Sequence, residues 1–141
     1  MTIKEYLHQT YRLNQRINAH LEECQALRCL ATSISSFSGG EKVRSSRSKE
    51  APFVRQIEKI LFLEERMNAD IDLLLELKEQ IHTLIQTLND PEEQLIIRYR
   101  YILGYHWEAI AGTLGMGVSS VHRKHRAALE KLKLPEQYIR I

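Results

Sequence analysis

A run of serine, histidine and basic residues between 118 and 126 has the composition of a nucleic-acid contact surface. Apolar and small residues at 121, 125, 128, 129 and 132 predict a helix that begins near Val118 and buries that side. The opposite side carries Ser119, Ser120, His122, Arg123, Lys124 and Arg126. Lysine and arginine bind phosphates, and arginine also pairs with guanine. The sequence therefore predicts a DNA contact here, with an ordinary solvated helix surface as the alternative.

The residues before this helix predict a shorter helix and a tight turn. Residues 107–114 form two helical turns, and Ala111 is small where two helices cross closely. Gly115 can adopt the positive φ that ends a helix, and Gly115-Met116-Gly117 forms the turn. A basic second helix after such a turn is typical of a helix-turn-helix, whose second helix enters the DNA major groove.

A further helix is predicted over 91–103. Asp90 suits the N-cap, Pro91 the first helical position, and Gly104 the end of the helix. Its predicted buried residues are Leu95, Ile96, Tyr99, Ile102 and Leu103.

Residues 89–133 resemble the fourth conserved region of sigma-70-type RNA polymerase sigma factors. The resemblance is carried by RYRY (98–101), Gly104, WEAIAGTLG (107–115), SSV (119–121) and RAALEKL (126–132). With its helical N-terminal part, the chain is also similar to small region-four-like regulators of Gram-positive phages and mobile elements. The resemblance implies that the second helix binds promoter DNA near the −35 element.

The resemblance assigns DNA-facing positions to Ser119, Ser120, Arg123, Lys124 and Arg126. Two positions depart from the family pattern: Gly117 replaces the usual Ser or Thr cap, and Ala127 stands where many relatives carry Arg. The chain has no counterpart of the region that binds the −10 element, so we do not expect it to melt a promoter. Sigma region four also contacts RNA polymerase, which makes a polymerase-binding adaptor without DNA specificity the alternative function.

The first part of the chain predicts a long antiparallel coiled-coil hairpin. Residues 3–31 form the first helix, with Thr2 and Glu5 as a capping box. Its predicted buried stripe is Ile3, Tyr6, Thr10, Leu13, Ile17, His20, Cys24, Leu27 and Ala31. The second helix is predicted over 53–89, with a seam in alternating steps of four and three. That seam is Phe53, Ile57, Ile60, Glu64, Met67, Ile71, Leu74, Lys78, Ile81, Ile85 and Leu88.

The second helix carries more leucine than one partner helix can cover, at positions 61, 63, 73, 75, 77 and 84. This excess predicts a homodimer or higher homo-oligomer. Between the two helices, the Ser- and Gly-rich segment 32–52 shows no apolar period and predicts a mobile loop. Its basic residues Lys42, Arg44, Arg47 and Lys49 can touch phosphates, although a solvated linker is the simpler interpretation.

Charge divides the chain in the same way. Basic minus acidic residues come to +3 over 1–51, −4 over 52–90 and +3 over 91–141. We therefore expect an oligomerisation domain over 1–89 and a DNA-binding domain over 90–141. The acidic residues Glu64, Glu65, Asp70, Asp72, Glu76 and Glu79 are interpreted as a solvated helix face.

Several other classes of protein and site are disfavoured. There is no phosphate-binding glycine loop and no nucleophile elbow, so we expect no enzyme, no catalytic residue and no cofactor. His20 and Cys24, or His122 and His125, could share a metal, but packing is the simpler role, and no metal site is expected. Trp107 could stack on a base or cover the helix-turn-helix core.

No apolar run is long enough for a membrane span, and the first residues are polar, so we expect no membrane partner and a cytoplasmic protein. The sequence thus predicts an all-α, sequence-specific transcription regulator of phage or mobile-element type that binds double-stranded DNA.

Overall fold

The computed structural model describes the backbone of residues 1–38 and 46–141 and the side chains of 1–32 and 53–141. The described ranges consist mostly of helix and contain no strand. The predicted all-α class is therefore confirmed. The helices are α1 (Ile3–Ser38), α2 (Ser46–Gln86), α3 (Pro91–Ile97), α4 (Trp107–Leu114) and α5 (Val118–Lys131), with a π-helical turn at Arg98–Ile102.

Both long helices extend into the segment between them, and the second ends earlier than predicted. The helix predicted over 3–31 continues to Ser38, and the one predicted over 53–89 begins at Ser46 and ends at Gln86. Helical backbone thus occupies both ends of the segment 32–52 that the sequence predicted as a loop, because an established helix propagates readily into polar residues. The centre of that segment, 39–45, lies outside the described residues, as do the four basic side chains predicted to touch phosphate.

The chain divides into two compact units. One is Gln15–Asp72, which holds the later part of α1 and the earlier part of α2. The other combines Met1–Asn14 with Leu73–Ile141, so the ends of α1 and α2 belong to the same unit as α3, α4 and α5. The functional division predicted at residue 89 remains a prediction.

In the Gln15–Asp72 unit, α1 and α2 run antiparallel. Arg16 on α1 pairs with Asp70 on α2, whereas Arg28, further along α1, pairs with Glu64, which comes earlier on α2. Cys24, Ile60 and Leu63 are buried, and Met67 and Leu27 are half-buried beside them. The whole stripe predicted on α1 is buried or half-buried.

Asp70 corrects the prediction that the acidic residues of α2 form a solvated face. It is buried, and its carboxylate accepts two hydrogen bonds from Arg16, at 2.8 Å to Nε and 2.5 Å to the second nitrogen. These bonds and the Arg16 charge lower the pKa of Asp70. A buried carboxylate needs such a partner, and a bidentate arginine supplies it.

The predicted α2 seam is also shifted at alternate positions. Leu63, Asp70 and Leu77 are buried in place of Glu64, Ile71 and Lys78, while Ile60, Leu74, Ile81 and Leu88 are buried as predicted. Phe53 and Ile57, at the start of the predicted seam, are exposed. The positions that are buried as predicted belong to both of two neighbouring 4-3 registers. The apolar pattern alone therefore did not decide between the two registers.

In the second unit, the hairpin ends form a core with Tyr6, Leu7, Leu13, Leu77, Ile81 and Ile85, all fully buried. The predicted capping box begins α1: Glu5 N–H donates to Thr2 Oγ1 at 3.2 Å, and Thr2 N–H donates to Glu5 Oε2 at 2.7 Å. The chain after α5 returns to these helices. Buried Gln9 donates to the Ile139 carbonyl and accepts from the Ile141 N–H, both at 2.9 Å.

The helix predicted over 91–103 changes geometry in its middle. The α-helix ends at Ile97, and the π-helical turn closes with a bond from Leu103 N–H to the Arg98 carbonyl at 3.1 Å. Because the π turn is wider, the buried side is displaced. Leu95 and Leu103 are exposed, contrary to the prediction, and Ile97 and Tyr101 are buried. Gly104 ends the segment at φ 75°, as predicted.

Within the described helices, no stretch combines the length and the apolar character that crossing a lipid bilayer would require.

The corrected seam can be tested with two neighbouring residues of α2. Leu77 is fully buried, and Glu76 is exposed. We expect Leu77→Ala to lower the free energy of unfolding by about 2–5 kcal/mol, because it leaves a cavity. Glu76→Ala should change it by less than about 0.5 kcal/mol. Urea unfolding followed by circular dichroism measures both, and equal losses would contradict the seam.

Candidate nucleic-acid interface

The turn before α5 is built as the glycines predict. Gly115 ends α4 at φ 63°, in the left-handed region that favours glycine, and Met116 N–H donates to the Ala111 carbonyl at 3.0 Å. Gly117 is the N-cap residue of α5, and it has no side chain to satisfy the first amides of that helix. The helix-turn-helix geometry predicted from the sequence is therefore present.

A small apolar core holds α5 against the preceding helices. Ile96 of α3, Ile110 and Ala111 of α4, and Val121 of α5 are buried together. Tyr99, Trp107, Leu114 and Met116 pack around them. One side of α5 is consequently fixed, and the opposite side is left in water.

Three of the six predicted DNA-binding residues share the outermost line of α5. Ser119, Arg123 and Arg126 are exposed, and their spacing of four and three residues places them on one side of the helix. Within the described part of the chain, neither arginine pairs with a carboxylate. Their guanidinium groups are therefore available to an external anion.

The other three predicted residues flank this line and are half-buried. Ser120 and Lys124 lie on the flank that faces α3, and His122 lies on the flank that faces α4. The structure thus brings all six onto one helix, but it gives them unequal access to a ligand.

Lys124 is engaged by acidic residues that sequence reasoning did not connect to it. Its Nζ lies 3.5 Å from Asp90 Oδ2 and forms an ion pair with Glu92. The bond to Glu92 and the two negative charges raise the pKa of Lys124. Asp90 also caps α3 by accepting from Glu92 N–H at 2.9 Å, and this bond lowers its pKa.

A second lysine of α5 makes a similar contact two turns later. Lys131 Nζ donates to both carboxylate oxygens of Glu93, at 2.9 Å and 3.0 Å, and Glu93 is buried. The first turn of α3 is therefore linked to α5 by lysines at 124 and 131. Acidic residues in that turn also suit the positive end of the α3 helix dipole.

An aromatic cluster lies on the other flank of α5. The Trp107 ring has its centroid 4.5 Å from that of His122 and 4.7 Å from that of His125, and the Arg100 guanidinium lies 4.5 Å above it. Tyr101 Oη lies 2.7 Å from His125 Nε2. Trp107 thus covers the core, and His125 packs inside it, whereas His122 is partly covered by Trp107.

The described residues contain no group of three potential metal ligands. His20 Nε2 lies 3.6 Å from Asp70, and Cys24 is buried.

Burial gives His125 a pH-dependent contribution to stability. Desolvation, together with the charges of Lys4, His122 and Arg100, lowers the pKa of His125 to about 4. An unfolded histidine has a pKa of about 6.5. Between about pH 4 and pH 6.5 the unfolded chain therefore binds one proton more than the folded chain. The free energy of unfolding should fall as the pH decreases from about 6.5 towards 4.

We expect His125→Gln to reduce the loss of unfolding free energy between pH 7 and 5, as measured by urea titration. His82→Gln, at an exposed position of α2, should keep the wild-type pH dependence. If His125→Gln does not fold, an imidazole NMR titration of the wild type decides the question, since protonation of folded His125 above pH 6 would contradict the prediction.

Comparison with known proteins agrees with this geometry. Residues 84–134 match the family described as Sigma-70, region 4. No curated protein and no solved structure gave a match. The matched segment contains α3, α4 and α5 together with both turns between them. The C-terminal part of this chain is therefore a helix-turn-helix that is similar to region 4 of sigma-70 factors.

Proposed function

We propose that the protein is a sequence-specific DNA-binding transcription regulator that inserts α5 into the major groove. The observation that carries the proposal is the exposed line of Ser119, Arg123 and Arg126 on a helix whose other side is fixed by a core. A major groove about 12 Å wide admits one helix, and arginine can pair with guanine through two hydrogen bonds. The match to Sigma-70, region 4 supports the same role.

A homodimer through the hairpin is part of this proposal. Leu61 is 58% exposed and Leu75 is 56% exposed, so α2 presents apolar side chains away from α1. A second copy would cover such residues and would bring a second recognition helix to the DNA. Two half-sites in the target would follow from the two-fold symmetry. The regulated genes would be those of a phage or mobile element, and the protein would act in the cytoplasm.

Selection from a pool of randomised duplexes at near-physiological salt tests the proposal. High salt suppresses nonspecific phosphate binding, so enrichment of a motif reports recognition of sequence. We expect a motif with two related half-sites. Arg123→Ala with Arg126→Ala should weaken binding to that motif by about tenfold or more per arginine. Arg12→Ala with Arg55→Ala removes equal charge from the hairpin and should leave affinity unchanged.

Equal losses from the two double variants would exclude α5 as the DNA-reading element. A motif with a single site would contradict the homodimer while leaving DNA recognition in place.

A second candidate function is an adaptor that binds RNA polymerase without DNA specificity. It is favoured by an exposed apolar group beside the π-helical turn, where Leu103 is 54% exposed and Tyr105 is 39% exposed. Tyr105 stacks on Tyr99 at 5.1 Å, which holds this group in place. Exposed apolar residues held on a rigid element are typical of protein contacts.

If the adaptor function holds, the wild type should co-purify with RNA polymerase from nuclease-treated extract. Leu103→Ser with Tyr105→Ser should lose this interaction, whereas Leu61→Ser with Leu75→Ser on α2 should keep it. Retention by the first variant would exclude the apolar group as the polymerase contact, and absence of polymerase with the wild type would exclude the adaptor.

A further inference from the structure

Lys124 occupies an unusual position among the candidate DNA contacts. It follows Arg123 directly, yet its ammonium group contacts Asp90 and Glu92 of the same chain. The side chain of Lys124 is 29% exposed, whereas Arg123 and Arg126 are both exposed residues. Among the six predicted DNA-binding residues, Lys124 is therefore a cation that is already paired with carboxylates.

The two carboxylates that hold Lys124 differ in their freedom. Asp90 is fixed because it caps α3 through Glu92 N–H. The Glu92 side chain is 51% exposed, and among the described residues its carboxylate pairs with Lys124. Glu92 is consequently a carboxylate in water beside a predicted DNA-binding residue. There it would repel a phosphate group, and it occupies the lysine that would attract one.

This inference rests on the proposed function. We propose that Glu92 sets the strength of DNA binding, because it lowers the affinity for phosphate by withholding Lys124. Nonspecific binding depends almost entirely on contacts between cations and phosphates, so each withheld lysine weakens it. Recognition of a target depends in addition on base contacts, which Arg123 and Arg126 are placed to make. Withholding Lys124 therefore weakens the sequence-independent part of the affinity and leaves the base contacts of the two arginines unchanged.

The physical size of the effect follows from the exposure of the pair. The ion pair is exposed and therefore weak, so releasing Lys124 should strengthen nonspecific binding by a factor of about 1.5 to 5. One additional phosphate contact should also steepen the dependence of log K on log salt by about 0.9. The slope of log K against log salt reports the number of phosphate contacts, so it is a more direct measurement of this effect than the affinity.

The experiment measures binding of the full chain to a fluorescent mixed-sequence duplex of about three helical turns, over a range of salt concentrations. Glu92→Gln should bind more tightly and give the steeper slope. Lys124→Gln should leave the wild-type slope unchanged, because that lysine does not contact phosphate while Glu92 holds it. The double variant, Glu92→Gln with Lys124→Gln, should return to the wild-type slope.

Glu130→Gln is the matched control. It removes the same charge from an exposed position on α5 without releasing a lysine, and we expect the wild-type slope. Thermal unfolding of every variant by circular dichroism shows that each is folded at the assay temperature. Asp90 is retained in all of them, so the cap of α3 is unchanged.

The possible results separate this inference from the proposed function. A wild-type slope for Glu92→Gln, or an equally steep slope for Glu130→Gln, would overturn the role of Glu92. A shallower slope for Lys124→Gln alone would show that Lys124 already contacts phosphate and would overturn it as well. Absence of wild-type binding even at low salt would instead overturn the proposed function.

Discussion

The burial of one side of α5 is the constraint on which the candidate interface depends. Val121 and Ala128 have no exposed surface, and they lie two turns apart on the side that meets the helix-turn-helix core. Because this side is fixed, the side that carries Arg123 and Arg126 must face water. The access of those arginines to DNA is thus a consequence of packing by small and apolar residues that do not themselves bind anything.

Polar contacts then set the rotation of α5 more sharply than apolar packing does. His125 meets the Tyr101 hydroxyl inside the unit, and the buried carboxylate of Glu93 meets Lys131. A small rotation of the helix would preserve much of the apolar burial, but it would leave both of these buried polar groups without partners. The cost of an unpaired buried polar group therefore favours one rotation.

The helix-turn-helix does not fold around its own core alone. The ends of the hairpin belong to the same compact unit, and the residues after α5 bind to them through Gln9 and Gln80. Gln9 is buried and uses both atoms of its amide, one toward Ile139 and the other toward Ile141. The amide satisfies backbone groups as a neighbouring strand would, so a polar residue of α1 becomes part of the core.

Local patterns were enough to place most of the elements. Helix caps at Thr2 and Asp90, helix ends at Gly104 and Gly115, and the start of α5 at Val118 all depend on interactions within a few residues. The stripe on α1 was also predictable, because a helix that buries one side repeats its apolar residues at a fixed interval. The basic residues of α5 predicted a nucleic-acid contact, and the resemblance to sigma region four added promoter DNA as the expected ligand.

Contacts between distant residues decided the remaining features. The choice of Leu77 over Lys78 for the α2 seam depended on how α1 meets α2, and the burial of Asp70 depended on Arg16. Arg123 and Lys124 are adjacent basic residues in the sequence. The approach of Asp90 and Glu92 gives Lys124 two carboxylate partners, whereas Arg123 has none among the described residues. The sequence by itself determined which residues form helices and which faces are apolar, since those properties are local. The tertiary structure decided which charged groups meet, since an ion pair depends on the distance between residues far apart in the chain.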